Sequence, residues 1–269
     1  MESINGTPDS GWSPGEGETE DDRPNTGGID DYEADNVGNT IRIRRTDDRD
    51  FAIDAKGGPT NMALLAFKKT VRNIAELPTK FWPDHILEVV NTEESDVDDY
   101  YVAFVADAAG VPGSGSWQET TDAKSGLSLS AVTMPQALIR QADGSFDFEP
   151  LDEDSPFEGW ASRTVGDDDS NPEPSFVERG IRSMFLYANR LGFLSEDAVI
   201  MSQPGDYFNF FANSALAVSE ADPIDLTAAA SKPVTLKDAV GTSNGLLLFA
   251  EYNQFLMSSQ EVTFSSQTV

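Results

Sequence analysis

Cysteine is absent from this 269-residue chain, which excludes disulfide staples, thiolate metal sites and a cysteine nucleophile. Histidine occurs once, at His85, so any imidazole-based catalytic arrangement would have to use it. It stands between Pro83-Asp84 and an apolar run, and no serine sits in a G-x-S-x-G elbow; His85 therefore reads as a surface or capping residue. Walker, Rossmann and zinc-ligand spacings are missing, and no cofactor is expected. No apolar run reaches the roughly 18 residues of a membrane-spanning helix, and no N-terminal apolar h-region marks a signal peptide.

Basic residues are the other scarcity. Eighteen Lys and Arg face 47 Asp and Glu, a net charge of −29. A protein that grips nucleic acid needs a basic footprint to release counterions from phosphate, so that class is disfavoured. A protein that DNA merely passes has the opposite need, because an acidic lumen repels the phosphate backbone. The plainer reading is solubility in a salty setting, where screening confines repulsion to within ~8 Å or less. The sequence leaves both open.

Along the chain, residues 1–39 form an acidic segment. Eleven acids up to Asn36 face the single base Arg23, with almost no apolar periodicity, so disorder or a surface excursion is expected. Residues 40–150 read as a small α+β region. Thr40 to Arg44 alternates as a strand and should pair with Asp50 to Asp54 across an Asp47-Asp48 turn. The stripe Leu64, Phe67, Val71 and Ile74 predicts an amphipathic helix over Thr60 to Leu77, capped by Thr60 or Asn61 and stopped by Pro78. Ile86 to Val90 and Tyr100 to Val105 read as strands, Ala108 to Ser116 as a loop, and Trp117 to Thr120 as a further strand. Leu138 to Arg140 and Ser145 to Phe148 flank Ala142-Asp143-Gly144, a hairpin signal. Residues 151–175 are a loop-rich acidic linker with seven acids between Asp152 and Asp169.

From residue 176 to 269 the pattern is a β meander. Met184 to Tyr187, Leu191 to Leu194, Ala198 to Met201 and Tyr207 to Phe210 would make one four-stranded propeller blade, with a tight turn at Ser195-Glu196-Asp197. Ile224 to Ala228, Val234 to Val240, Leu246 to Phe249 and Phe255 to Ser258 would make a second. The expected fold class is thus mainly β, an incomplete propeller of about two blades after a platform-like α+β region with one helix. Propellers need at least about four blades, so the chain is expected to be a piece of a longer protein.

The stretch Asn189-Arg190-Leu191-Gly192-Phe193-Leu194, then Ser202, then Gly205-Asp206-Tyr207-Phe208-Asn209-Phe210-Phe211 carries a resemblance. Upstream stand Trp117-Gln118-Glu119-Thr120, Thr133-Met134-Pro135, Asp143-Gly144-Ser145-Phe146, Trp160, Arg163, Gly166-Asp167 and Asn171-Pro172-Glu173-Pro174-Ser175-Phe176. Downstream come Asp222-Pro223-Ile224-Asp225 and Gln254-Phe255. In this order and spacing, roughly Tyr100 to Met257, the chain resembles the tail tubular protein B family, the nozzle proteins of short-tailed double-stranded DNA phages. The resemblance implies a structural virion protein of the tail, arranged as a homohexameric ring at its distal end. It also implies contact with the tail tubular protein A ring or adaptor above and with tail fibres at the side. Genomic DNA would pass through without sequence-specific binding, held and then released, and no reactive side chain is required.

Two chemical alternatives stand beside it. Asp167, Asp169, Asn171 and Glu178 occupy positions 1, 3, 5 and 12 of a calcium-loop count. Pro172 falls where that loop demands glycine and no helix is expected before it, so a surface turn is the better reading. A virion-borne or secreted propeller that binds or hydrolyses glycans could use Trp117 and Trp160 as sugar-stacking faces. Aromatic residues in β proteins more often belong to the core. Arg190 reads as a structural ion-pairing or backbone-capping residue, since strand flanks it on both sides.

Overall fold

The computed structural model describes residues 31–47, 49–53, 65–90, 99–122, 127–152, 154–155, 159–259 and 264–265. The protein is mainly β, and no α-helix occurs among the described residues. The chain groups into two compact units, Met1–His85 with Ala103–Gln118, and Ile86–Val102 with Glu119–Val269.

The first hairpin pairs β1 (Tyr32–Val37) with β2 (Thr40–Arg45) across a turn at Gly38, whose φ is 60°. The expected partner of β2 was the segment after Asp47; residues 50–53 form no strand, and residue 54 lies outside the described residues. Electrostatics explains the choice, because the register sets Asp35 opposite Arg42 and Glu33 opposite Arg44. Arg42 binds the Asp35 carboxylate through two nitrogens at 3.1 and 2.6 Å, and Arg44 reaches Glu33 at 3.3 Å. Opposite charges facing across strands stabilise a pair by about 0.2–1 kcal/mol. The end of the acidic segment is therefore a strand, while residues 1–30 lie outside the described residues.

The predicted helix is corrected in the same unit. Residues 60–64 lie outside the described residues. From residue 65 to 77 the chain holds β3 (Thr70–Val71) and one 3-10 turn, Ile74–Glu76, capped by the Asn73 side chain accepting from Ala75 N–H. Only part of the supposed stripe is buried: Val71 is at 7% exposure, whereas Ile74 is at 37%. Phe67 instead joins an aromatic cluster with Phe81, Trp82, Phe104 and Trp117. β4 (Lys80–Phe81), β5 (Ile86–Val89), β6 (Tyr100–Ala106) and β7 (Gly113–Thr120) follow, and within the first unit β4 pairs antiparallel with the start of β7. β7 begins inside the segment expected to be a loop. Gly115 permits it, since a Cβ there would lie 2.2 Å from the Val105 carbonyl oxygen.

The second unit contains the hairpin β8 (Ala137–Arg140) and β9 (Phe146–Glu149), as the sequence predicts. It also contains an antiparallel four-stranded sheet: β10 (Ser183–Tyr187), β11 (Arg190–Ser195), β12 (Ala198–Met201) and β13 (Ile224–Thr227). β14 (Leu236–Thr242), β15 (Gly245–Ala250) and β16 (Gln254–Met257) form a three-stranded sheet. β11 and β12 are buried on both faces, which is why they read as near-continuous apolar runs. Alternation sends Leu191, Phe193, Ala198 and Ile200 into one core with Trp160, Phe176 and Phe210. It sends Leu194, Val199 and Met201 into another with Ile224, Leu236 and Leu246.

The fourth strand of this sheet is Ile224–Thr227, not the expected Tyr207 to Phe210. Phe210 and Phe211 are adjacent and both buried, at 4% and 2% exposure. A strand would point them to opposite faces. Irregular backbone allows both inward, with Asn209 Oδ1 accepting from Phe211 N–H at 3.0 Å.

Gly192 lies opposite Phe185, and a Cβ there would meet the ring at 2.2 Å. Gly192→Ala is expected to destabilise the chain by about 1–3 kcal/mol through overpacking, measured by urea unfolding. Phe185→Leu should recover part of that loss in a double-mutant cycle, and strict additivity would show that the ring contact is not the cause.

Candidate functional site

Several polar residues of the resemblance, among them Asn189, Arg190, Ser202 and Asp222, meet at the crossover that links β12 to β13. Its origin is local. Ala188 and Asn189, at φ 49° and 59°, make a two-residue turn of the kind that suits twisted hairpins. Asn189 then takes two bonds from the crossover: its carbonyl accepts from Gly205 N–H at 2.7 Å, and its Oδ1 accepts from the Tyr207 hydroxyl at 2.8 Å. Gly205, at φ 81°, and Asp206 close a small loop bridged from Gln203 to Asp206. Phe208 is half-buried on the Trp160 side of the core.

Arg190 is the centre of the arrangement. Its side chain is 1% exposed and meets no carboxylate at hydrogen-bond distance. Nη1 donates to the carbonyls of Ser202 and Asp222, and Nη2 to that of Glu220, each at 2.7 Å. Burial lowers the Arg190 pKa, an effect opposed by the nearby Asp222 charge. Three charge-assisted bonds of about 1.5–3 kcal/mol each offset part of the cost of dehydrating the guanidinium, whose Nε is buried without a hydrogen-bond partner. The Asp222 carboxylate itself caps the local turn, accepting from Ser219 N–H at 2.6 Å. Pro223 follows and β13 starts at once with buried Ile224, so the clamp sets where β13 enters the sheet. Asp225 accepts from Ser175 N–H at 2.7 Å.

Neighbouring polar groups serve the same end. Ser202 Oγ accepts from Leu191 N–H at 3.1 Å, and Gln203 Nε2 donates to the Phe211 carbonyl at 2.7 Å. The Glu119 carboxylate receives the Ser214 hydroxyl and Ala215 N–H at 2.9 and 2.8 Å. Glu119, Gln203 and Ser214 were not singled out by the sequence as a group. Their signal was their place within or beside the signature words, but nothing local announced a partner some 95 residues away.

Two of the calcium-count residues, Asp167 and Asn171, have their side chains engaged with backbone. Asp167 Oδ1 accepts from the N–H groups of Asp169 and Ser170 and from the Ser170 hydroxyl. Asn171 is 5% exposed; its amide donates to Val165 and Ala212 carbonyls and accepts from Ala212 N–H. Arg163 joins the same loop, donating to Asp168 and to the Asn171 carbonyl at 2.8 and 3.0 Å. Glu178 sits at φ 65° after a turn. No group of three or more metal-ligating His, Asp or Glu occurs among the described residues.

Candidates for chemistry are placed apart. His85 packs its ring 5.2 Å from that of Phe81, and burial lowers its pKa. Trp117 donates Nε1–H to the Pro78 carbonyl within the Phe81 cluster, and Trp160, 8% exposed, lies in the Phe193 core. Trp160 is a core residue and Trp117 is half-buried against the Phe81 cluster. The constellation around Arg190 can hold backbone in place; it presents no nucleophile paired with a base.

A family model described as bacteriophage nozzle protein matches residues 21–269. The chain is also 34% identical over 214 residues to tail tubular protein gp12 of Escherichia phage T7. That match takes in 80% of this chain and 25% of the relative, so the chain spans about a quarter of the length of the curated relative it matches.

Arg190 reaches its acceptors from two separate nitrogens of a planar fork, whereas the three donors of a lysine ammonium radiate from a single nitrogen, so Arg190→Lys cannot reproduce the geometry of all three contacts. Each buried carbonyl left unpaired costs about 1–3 kcal/mol, and a loss of about 3 kcal/mol or more is expected in urea unfolding. A change below about 0.5 kcal/mol, the scale of an ordinary surface substitution, would contradict the clamp.

Proposed function

The chain belongs to the bacteriophage nozzle protein family, and on that footing we propose that it is a structural subunit of the nozzle at the distal end of a short phage tail. The observation that carries the reading is the similarity to a T7 tail tubular protein along most of the chain. Six copies form a closed ring through which genomic DNA is retained and then ejected. Residues 40–150 serve as a platform-like region, 151–175 as a linker and 176–269 as propeller blades. The antiparallel sheet β10-β11-β12-β13 supports the blade assignment, with β14-β15-β16 as part of a second. The ring of tail tubular protein A or an adaptor stacks on one side, and tail fibres contact the flank. The signature residues around Arg190 act as a structural motif that holds each blade in shape.

Mechanism then rests on shape and charge. With a net charge of −29, carboxylates facing the lumen repel phosphate and leave passing DNA nothing to hold. Such repulsion is screened beyond ~8 Å at physiological salt, so it acts only where the wall comes near the duplex.

The test is assembly. Incubated with tail components, the protein should form rings of six copies seen by negative stain and should copurify with the tail tubular ring. Duplex DNA should show no retention on the purified protein even at about 50 mM salt. A protein that stays monomeric at every concentration and is absent from purified virions would refute the reading.

A further inference from the structure

Charge is spread unevenly along the chain. Nine of its 18 Lys and Arg fall within residues 40–80 against five acids, a local net charge of +4, which leaves nine bases and 42 acids, net −33, on the rest. Residues 65–83 concentrate the excess, with Lys68, Lys69, Arg72 and Lys80 against Glu76 alone. All four bases are exposed. The fold brings them together. The rings of Phe67 and Phe81 meet at 5.8 Å in the aromatic cluster, so Lys68 and Lys69 beside one and Lys80 beside the other stand on neighbouring segments. The Thr40 hydroxyl, at the start of β2, donates to the Lys80 carbonyl at 3.2 Å and fixes that segment against the first hairpin. Acids nearby are already matched: Asp35 by Arg42, Glu33 by Arg44, Asp47 by Arg45 and Asp50 by Lys68. Among the described residues, no carboxylate pairs with Lys69 or Lys80. Leu65 and Ile74 add apolar surface to the same stretch, 49% and 37% exposed.

Charge selects the occupant. Two copies at net −29 repel one another over most orientations, and the repulsion is least where a basic segment of one faces the acids of the other. Because the bases are gathered in one stretch and the acids dominate elsewhere, a single chain carries both complementary surfaces. Two different surfaces meeting in this way make a heterologous contact, the kind that closes rings. The apolar side chains among the bases favour protein over nucleic acid, since a phosphate backbone would neutralise the lysines and leave Leu65 and Ile74 in water. Exposed ion pairs contribute only about 0–1 kcal/mol each, so this contact orients the neighbours within a larger interface.

We infer that the basic surface of Lys69, Arg72 and Lys80, with Leu65 and Ile74, docks on carboxylates of the next copy of this chain, an assignment that rests on the ring reading above. Full chains labelled with nitrogen-14 and nitrogen-15 are mixed, assembled into rings and treated with a carbodiimide, which joins a lysine amine to a carboxylate in direct contact. Digestion and mass spectrometry should recover mixed-isotope cross-links that contain Lys69 or Lys80. Lys69→Glu with Lys80→Glu should raise the concentration needed for assembly at least about tenfold, because like charges then face each other. Lys232→Glu with Lys237→Glu, an equal charge change at exposed positions outside the segment, should raise it less than about threefold. Rings in which Lys69 and Lys80 give only same-isotope cross-links, or in which both double variants assemble alike, would overturn the interface and leave the ring standing. Cross-links from these lysines to a different tail protein, or retention of duplex DNA that the Lys69→Glu, Lys80→Glu variant loses, would overturn docking by a second copy. Absence of rings would overturn both.

Discussion

A guanidinium buried among main-chain carbonyls is the constraint on which the signature region depends. Arg190 lies at the start of β11, yet its three acceptors belong to the end of β12 and to the turn that precedes β13. Without it, the crossover from Gln203 to Asp222 would leave the buried carbonyls of Ser202 and Asp222 without this partner. With it, an irregular segment delivers Ile224 into the core beside Met201 in a fixed register. The strand then completes a sheet whose central strands β11 and β12 are buried on both faces, where polar and apolar alternation alone does not fix the register.

Several of the surrounding polar residues spend hydrogen bonds on backbone. Asn171 ties residue 165 to residue 212, Glu119 caps the turn at Ser214, and Asn189 holds the Gly205 loop. Among the described signature residues, Arg190, Ser202 and Gln203 are buried while Asn189, Asp206 and Tyr207 stay exposed, in a chain of the bacteriophage nozzle protein family.

The sequence was most legible where the signal was local. The turn at Glu196, the doubly buried β12 and the hairpin around Gly144 follow from turn chemistry and alternation over a few residues. It misled where a short coincidence imitated a period. Leu64, Phe67, Val71 and Ile74 share helical spacing, but Phe67 is drawn to the Phe81 cluster and Asn73 begins a new turn, so no helix propagates through the described part. The strand β1 hid inside an acidic run because its partner charges lie on β2, and composition alone cannot show that pairing. β13 was placed in the wrong sheet for a related reason. Its neighbour in space is set by Arg190 across 32 residues, and an arginine flanked by strand gives no hint of which carbonyls it will hold.

Native-state hydrogen exchange of the β12 and β13 amides tests the central claim most directly. If Arg190 fuses the crossover to the sheet, the amides of Ile200 and Leu226 should exchange through one cooperative opening with the same free energy and the same denaturant dependence. Exchange of β13 at loop-like rates, while β12 stays protected, would show that the clamp does not hold the sheet together.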